Sequence, residues 1–171
     1  MKNKSIYTAQ GALIAALYII LTLISNFIGL ASGVIQIRLS EVLTILPIFY
    51  DSAVPGLFVG CIISNILTGC AVYDVIFGAL ATLIGAYGSR MIWKNCANRS
   101  HNRLCKVPAV IPPIVSNTLI VPWILSAVYN FDGSVLFFTA TVFLGEVISS
   151  GIGGLLLAAA LEPYRDVLGC K

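Results

Sequence analysis

The chain has 171 residues, of which 58% are apolar and 10% are charged, with a formal net charge of +3. Soluble domains carry about 25% charged residues, and a globule with so few has too little polar surface to stay dissolved. The composition therefore excludes a soluble protein and indicates an all-α integral membrane protein, whose length holds roughly five to seven spans in a single domain, 1–171.

A first apolar run covers about residues 8–30 and is long enough to span a bilayer. No small-residue cleavage site follows a short apolar core, so this run reads as a retained helix and not as a signal peptide. The break Ala31-Ser32-Gly33 precedes Val34 to Glu41, where apolar and polar residues alternate, as in an extended segment. Residues 42–50, with Pro47 among them, predict a second helix that is too short to span. Such a helix is tolerated where neighbours bury its ends or where it lines a cavity. Asp51 to Pro55 is a turn, and 55–68 predicts another shortish apolar helix. A full-length span follows at 74–93, and 94–106 reads as a basic polar loop. The fifth span, 107–129, carries Pro112, Pro113 and Pro122. Asn130 to Gly133 is a turn, and 134–161, rich in Gly and Ala, is the sixth span, ending before Pro163.

Ten Lys and Arg are present, and five of them lie between Arg90 and Lys106, with His101 among them. This segment is too short to be a nucleic-acid domain, and basic residues beside apolar runs mark the cytoplasmic face. With 90–106 inside, six helices put both termini inside as well. Lys2, Lys4, Arg90, Lys94, Arg99, Arg103, Lys106, Arg165 and Lys171 then share one face, and Arg38 alone lies on the other. The five cysteines are odd in number and suggest no disulfide framework. Cys96, His101 and Cys105 lack the spacing of a metal site, so no metal or other cofactor is expected. No Gly-x-x-x-x-Gly-Lys-Ser/Thr stretch occurs, so the chain shows no means of using ATP.

Five acids lie ahead of the C-terminal tail. Asp51 and Asp132 fall in turns, where solvation accounts for them. Glu146 falls about twelve residues into the sixth span, where a carboxylate costs several kcal/mol unless it is paired, wetted or holding a ligand. A hydrogen bond to Ser149 or to Asn117 is the structural reading, and ligand contact the functional one. Asn117, at similar depth, either satisfies carbonyls freed by Pro112 and Pro113 or meets the same ligand. Asn65 lies near the outer end of the third helix. Asp74 opens the fourth, where it either caps the helix or contacts ligand. Arg38 and Glu41, flanked by Gln36 and Ser40, form an interfacial ion pair or carry polar groups into an outward-facing cavity. Discontinuous helices frame transporter sites, which favours the cavity. Trp93, Trp123, Tyr129 and Tyr164 sit near span ends, as interfacial aromatics do, and Trp123 is the one placed to stack on a planar ligand. Small residues repeat at Ala12 and Ala16, at Ala81, Gly85 and Ser89, and at Gly145, Gly151, Gly153 and Gly154, where helices can approach closely. Ala12 and Ala16 serve bundle packing or face another protein. The lone histidine lies in the basic loop, so a Ser–His or His–metal site inside the membrane has no member, which argues against a membrane enzyme.

The stretch Gln36-Ile37-Arg38-Leu39-Ser40-Glu41-Val42-Leu43-Thr44-Ile45-Leu46-Pro47 resembles the signature of QueT-type proteins. Val54 to Asn65 and Asp74 to Leu83 are similar to the same family, and the likeness covers most of 8–160. The resemblance implies a six-helix substrate-binding S component of an energy-coupling factor (ECF) transporter, resident in a bacterial cell membrane. It implies partnership with a coupling protein, docked on Ala12 and Ala16, and with two ATPase subunits. The implied ligand is a queuosine precursor: prequeuosine-1 (7-aminomethyl-7-deazaguanine), queuine or a close relative. A carboxylate, Glu146 or Glu41, would accept from the guanine edge, Arg38 or an Asn amide would meet the carbonyl, and Asp74 would meet the ammonium. The alternative is a self-sufficient small carrier.

Overall fold

The computed structural model describes residues 4–30, 36–99, 105–129 and 134–164. The break at Ala31 to Gly33, the residues Val34 and Ile35, the turn holding Asp132, and Lys2, His101, Arg103, Arg165, Cys170 and Lys171 lie outside them. Among the described residues every regular element is helical. The first helix, α1, is Lys4–Phe27. At 1.5 Å per residue its 24 residues reach about 36 Å, enough to cross the apolar layer. The second, α2, is a 3-10 helix, Leu39–Ile48. The third, α3, is Ala53–Leu67. Next, α4 opens with a π-helical turn, Asp74–Gly78, and continues as Ala79–Arg99. A single turn, Lys106–Ala109, leads into Ile111–Tyr129, together α5. The last, α6, runs Val135–Glu146, widens to a π-helix over Val147–Gly153 and resumes as Gly154–Leu161. Four of these helices are long and apolar enough to cross a membrane, and α2 and α3 are shorter apolar helices. The result is a six-helix membrane bundle.

Two local expectations are corrected. The extended segment ends at Arg38, which has φ −102° and ψ 108°, and Leu39 to Glu41 already belong to α2. Residues 94–99, expected in the loop, continue α4.

The short helix occupies the middle of the bundle, with Ser40, Glu41 and Leu43 to Ile48 all buried. Its composition explains its geometry. Val42, Thr44, Ile45 and Ile48 are β-branched and Pro47 lacks an N–H, so the α-helical ladder is weak there. At about 2.0 Å per residue, ten 3-10 residues extend about 20 Å, against about 15 Å for an α-helix. Ser25 of α1 starts α2 by accepting a bond from the Leu39 N–H at 2.9 Å.

Glycines set the close helix contacts. A Cβ on Gly56 of α3 would lie 2.6 Å from the Gly11 oxygen of α1, and one on Gly60 would lie 2.9 Å from the Tyr18 Cβ. On α4, Gly85 meets Pro113 and Ser116 of α5, and Gly153 of α6 meets Val42 of α2. Ala81 and Ser89 are fully buried. Ala12 and Ala16 are exposed on the outer face of α1, beside Leu13 and Leu17, so they do not pack within the bundle.

One end of the bundle collects the charged contacts. The Asp51 carboxylate of the α2–α3 turn is paired to Arg90 and lies 3.6 Å from the Lys94 ammonium. Asp51 is therefore ion-paired, where sequence had assigned it to solvation alone. The Tyr7 hydroxyl donates to the Asp51 carbonyl at 3.4 Å. Lys106 bonds the Ala158 carbonyl and pairs with Glu162 at 2.8 Å. Cys96 and Cys105 form a disulfide with a Cα–Cα distance of 5.7 Å, where the odd number of cysteines had suggested no disulfide framework. A count of cysteines could not reveal that antiparallel packing brings the end of α4 to the start of α5.

Candidate functional site

A small cavity lies in the half of the bundle away from the charged end. Gln36 and Arg38 from the α1–α2 connection line it, with Glu41 of α2 and Gly78 and Thr82 of α4. Asn117 and Val121 of α5 and Val142 and Glu146 of α6 complete the wall. Its non-atom space, open mouth included, is about 350 Å³.

Each polar group arrives there for a local reason. Two carboxylates, Glu41 and Glu146, are both buried, and Asn117 stands between them. The Asn117 amide nitrogen donates to Glu41 Oε2 at 3.3 Å and to Glu146 Oε1 at 3.0 Å. The Tyr18 hydroxyl of α1 donates to Glu41 Oε1 at 2.5 Å. Both oxygens of Glu41 are thus engaged, whereas Glu146 Oε2 is buried with no hydrogen-bond partner among the described residues. A buried carboxylate oxygen without a donor is costly, and an N–H donor reaching it would remove that cost. Ser149, the other structural partner considered for Glu146, has a hydroxyl with no partner among the described residues. Arg38 brings a guanidinium within electrostatic reach of Glu41, Glu146 and Asp74. One cation faces at least two carboxylates across the cavity, which therefore has a field suited to a ligand with N–H donors or positive charge.

The π-helical segments bear directly on this wall. Glu146 is the residue just before the α6 π-helix, and Gly78 ends the α4 π-turn. Such single insertions re-aim side chains and occur often at functional sites. Gly145 lies under the Gln36 carbonyl, where a Cβ would come within 2.2 Å of that oxygen. Only glycine allows the α1–α2 connection to lie this close to α6. Behind the wall, Thr44 bonds the Glu41 carbonyl at 2.6 Å and the Ser150 hydroxyl at 2.8 Å, tying α2 to α6.

Of the seven ligand candidates read from sequence, the fold brings Arg38, Glu41, Asn117 and Glu146 to one cavity and leaves three off its wall. Asn65 donates to the Asp74 carbonyl at 3.1 Å and so joins α3 to the start of α4. Asp74 is buried in the π-turn without lining the cavity. Trp123 is 67% exposed on the outer face of α5 and does not line the cavity. Trp93, expected at an interface, is buried in the core. Tyr18, Thr82, Gly78, Val121 and Val142 were not found from sequence. The signal for Tyr18 was present: with Thr22 and Ser25 it forms a polar stripe at helical spacing on an otherwise apolar helix, and all three are buried.

Over 83 residues the chain is 39% identical to a protein of Lactococcus lactis subsp. cremoris (strain MG1363) named Queuosine precursor transporter QueT, an alignment covering 48% of each chain. The chain thus spans about half the length of the curated relative it matches. No solved structure matches. The QueT transporter family matches residues 8–163, nearly the whole described bundle, and this multi-pass membrane chain belongs to that family.

Proposed function

We propose that the chain binds a queuosine precursor in the Arg38–Glu41–Asn117–Glu146 cavity and serves its uptake across a bacterial plasma membrane. The observation that carries the reading is that Glu146, which lines a cavity with a single guanidinium, is buried with its Oε2 unpartnered among the described residues. A 7-deazaguanine presents adjacent N–H donors, which a carboxylate accepts, and a carbonyl, which Arg38 can meet. Two carboxylates against one arginine favour a cationic substituent, such as the aminomethyl group of prequeuosine-1. Glu146 takes the guanine edge in this assignment, because Glu41 has both oxygens occupied by Tyr18 and Asn117.

The chain acts in this reading as the S component of an ECF transporter. Its partners are a coupling protein that docks on exposed Ala12 and Ala16 and two ATPase subunits that supply the energy. Nine of its ten basic residues then face the cytoplasm with both termini, and the Cys96–Cys105 bridge lies at that same end. Because the cytoplasm is reducing, the pair would be a dithiol there.

Calorimetry on the purified full chain, titrated with 7-aminomethyl-7-deazaguanine, queuine and guanine, tests the binding. Saturable binding of a deazaguanine with weaker binding of guanine is expected, and no binding of any of them would overturn the reading. Concentrative uptake by the chain alone in liposomes would instead favour the self-sufficient carrier.

A further inference from the structure

Tyr18 is 1% exposed, yet its hydroxyl ends in the polar cluster and not in hydrocarbon. Its backbone is fixed closely. Gly60 of α3 leaves just enough room for the Tyr18 Cβ, and the Thr22 hydroxyl, one turn on, holds the Tyr18 carbonyl at 2.9 Å. The ring therefore has little freedom, and its O–H is delivered to Glu41 Oε1 at 2.5 Å, the length of a charge-assisted bond. Glu41 in turn offers only Oε2 to Asn117, and the same Asn117 nitrogen holds Glu146 Oε1. The four side chains form one connected network across α1, α2, α5 and α6, in which Tyr18 and Asn117 donate to Glu41 and Asn117 also donates to Glu146, whose Oε2 has no partner among the described residues.

From this network we infer that Tyr18 is a positioning residue for ligand binding: by occupying Glu41 Oε1 it fixes the Asn117 amide, which holds Glu146 with Oε2 open to the ligand. The inference rests on the reading that this cavity binds a deazaguanine. Without the Tyr18 hydroxyl, Glu41 Oε1 is a buried acceptor with an unmet demand, and Asn117, already bonded to the same carboxylate, is a donor that can turn towards it. Asn117 then releases Glu146, whose carboxylate loses its orientation. Tyr18 itself contacts no ligand, because it does not line the cavity.

The test is a double-mutant cycle on the full-length chain in detergent, read by calorimetry with 7-aminomethyl-7-deazaguanine. Tyr18→Phe keeps the ring and removes one oxygen, and it is expected to weaken binding about tenfold. Because Tyr18 acts through Glu41, adding Tyr18→Phe to Glu41→Gln should cost less than about twofold more. Wild-type affinity in Tyr18→Phe, or losses that multiply in the double variant, would overturn the assignment. A wild-type chain that binds nothing would overturn the functional reading itself and this assignment with it. A second measurement does not depend on the variants folding. With tyrosine ring carbons labelled by carbon-13 in the wild-type chain, ligand addition should shift one buried tyrosine Cζ resonance, and a spectrum with none shifted would overturn the assignment.

Discussion

The two ends of α2 carry the same kind of residue in opposite circumstances. At its start, Glu41 shares a buried cluster with Glu146, and one carboxylate oxygen there has no partner among the described residues. Just past its end, Asp51 meets Arg90 and Lys94, and Arg90 also bonds the Pro47 and Ile48 carbonyls at 3.0 and 3.2 Å. The charged end is complete: the guanidinium satisfies the carbonyls left open where the 3-10 helix stops, and it neutralises the adjacent acid. At the cavity end Glu146 Oε2 has no partner among the described residues, and in the proposed function a ligand N–H meets it. A short helix between them lets one element be anchored at one end and hold a site at the other.

The largest effect expected from disturbing this contrast is on the open end. Glu146→Gln replaces the unpartnered oxygen with an amide and should weaken binding of 7-aminomethyl-7-deazaguanine about 100-fold, measured by calorimetry, with no loss of melting temperature. A parallel loss of stability would mean that Glu146 is a strut like Asp51. Next comes Gly145→Ala. Its Cβ cannot coexist with the Gln36 carbonyl at 2.2 Å, so the 36–38 segment must move and carry Arg38 with it. About a tenfold loss of affinity is expected, and unchanged binding would show that the segment is free to shift. The smallest change in binding belongs to the anchored end. Arg90→Met should cost about 2 kcal/mol of stability, lowering the melting temperature by about 5 °C, while ligand affinity stays within about twofold. An affinity loss at Arg90 as large as at Glu146 would erase the distinction between the two ends.

Sequence reading went furthest where one residue's own chemistry sufficed. Glu146 stood out because a charge in an apolar run is conspicuous whatever surrounds it, and Arg38 because it alone of the basic residues falls on the other face. Tyr18 did not, because a tyrosine in a membrane helix is ordinary until its hydroxyl is seen to meet a carboxylate 23 positions away. Trp123 went the other way: its ring suits a planar ligand, but the face of α5 on which it falls points out of the bundle. Asp74 and Asn65 were equally plausible as ligand groups, and the contact that joins the Asn65 amide to the Asp74 carbonyl depends on how the turn between α3 and α4 closes.

The amino-acid sequence by itself determined that the chain is a helical membrane protein, which segments are apolar, that two of its six helices are short and which acids lie out of place, because hydropathy and charge are local properties. The tertiary structure decided which of those acids are satisfied. Whether a carboxylate finds one donor, two or none depends on the rotation and spacing of four separate helices. At Gly145 and Gly60 that spacing is set by the absence of a side chain, which no pattern of polar residues announces.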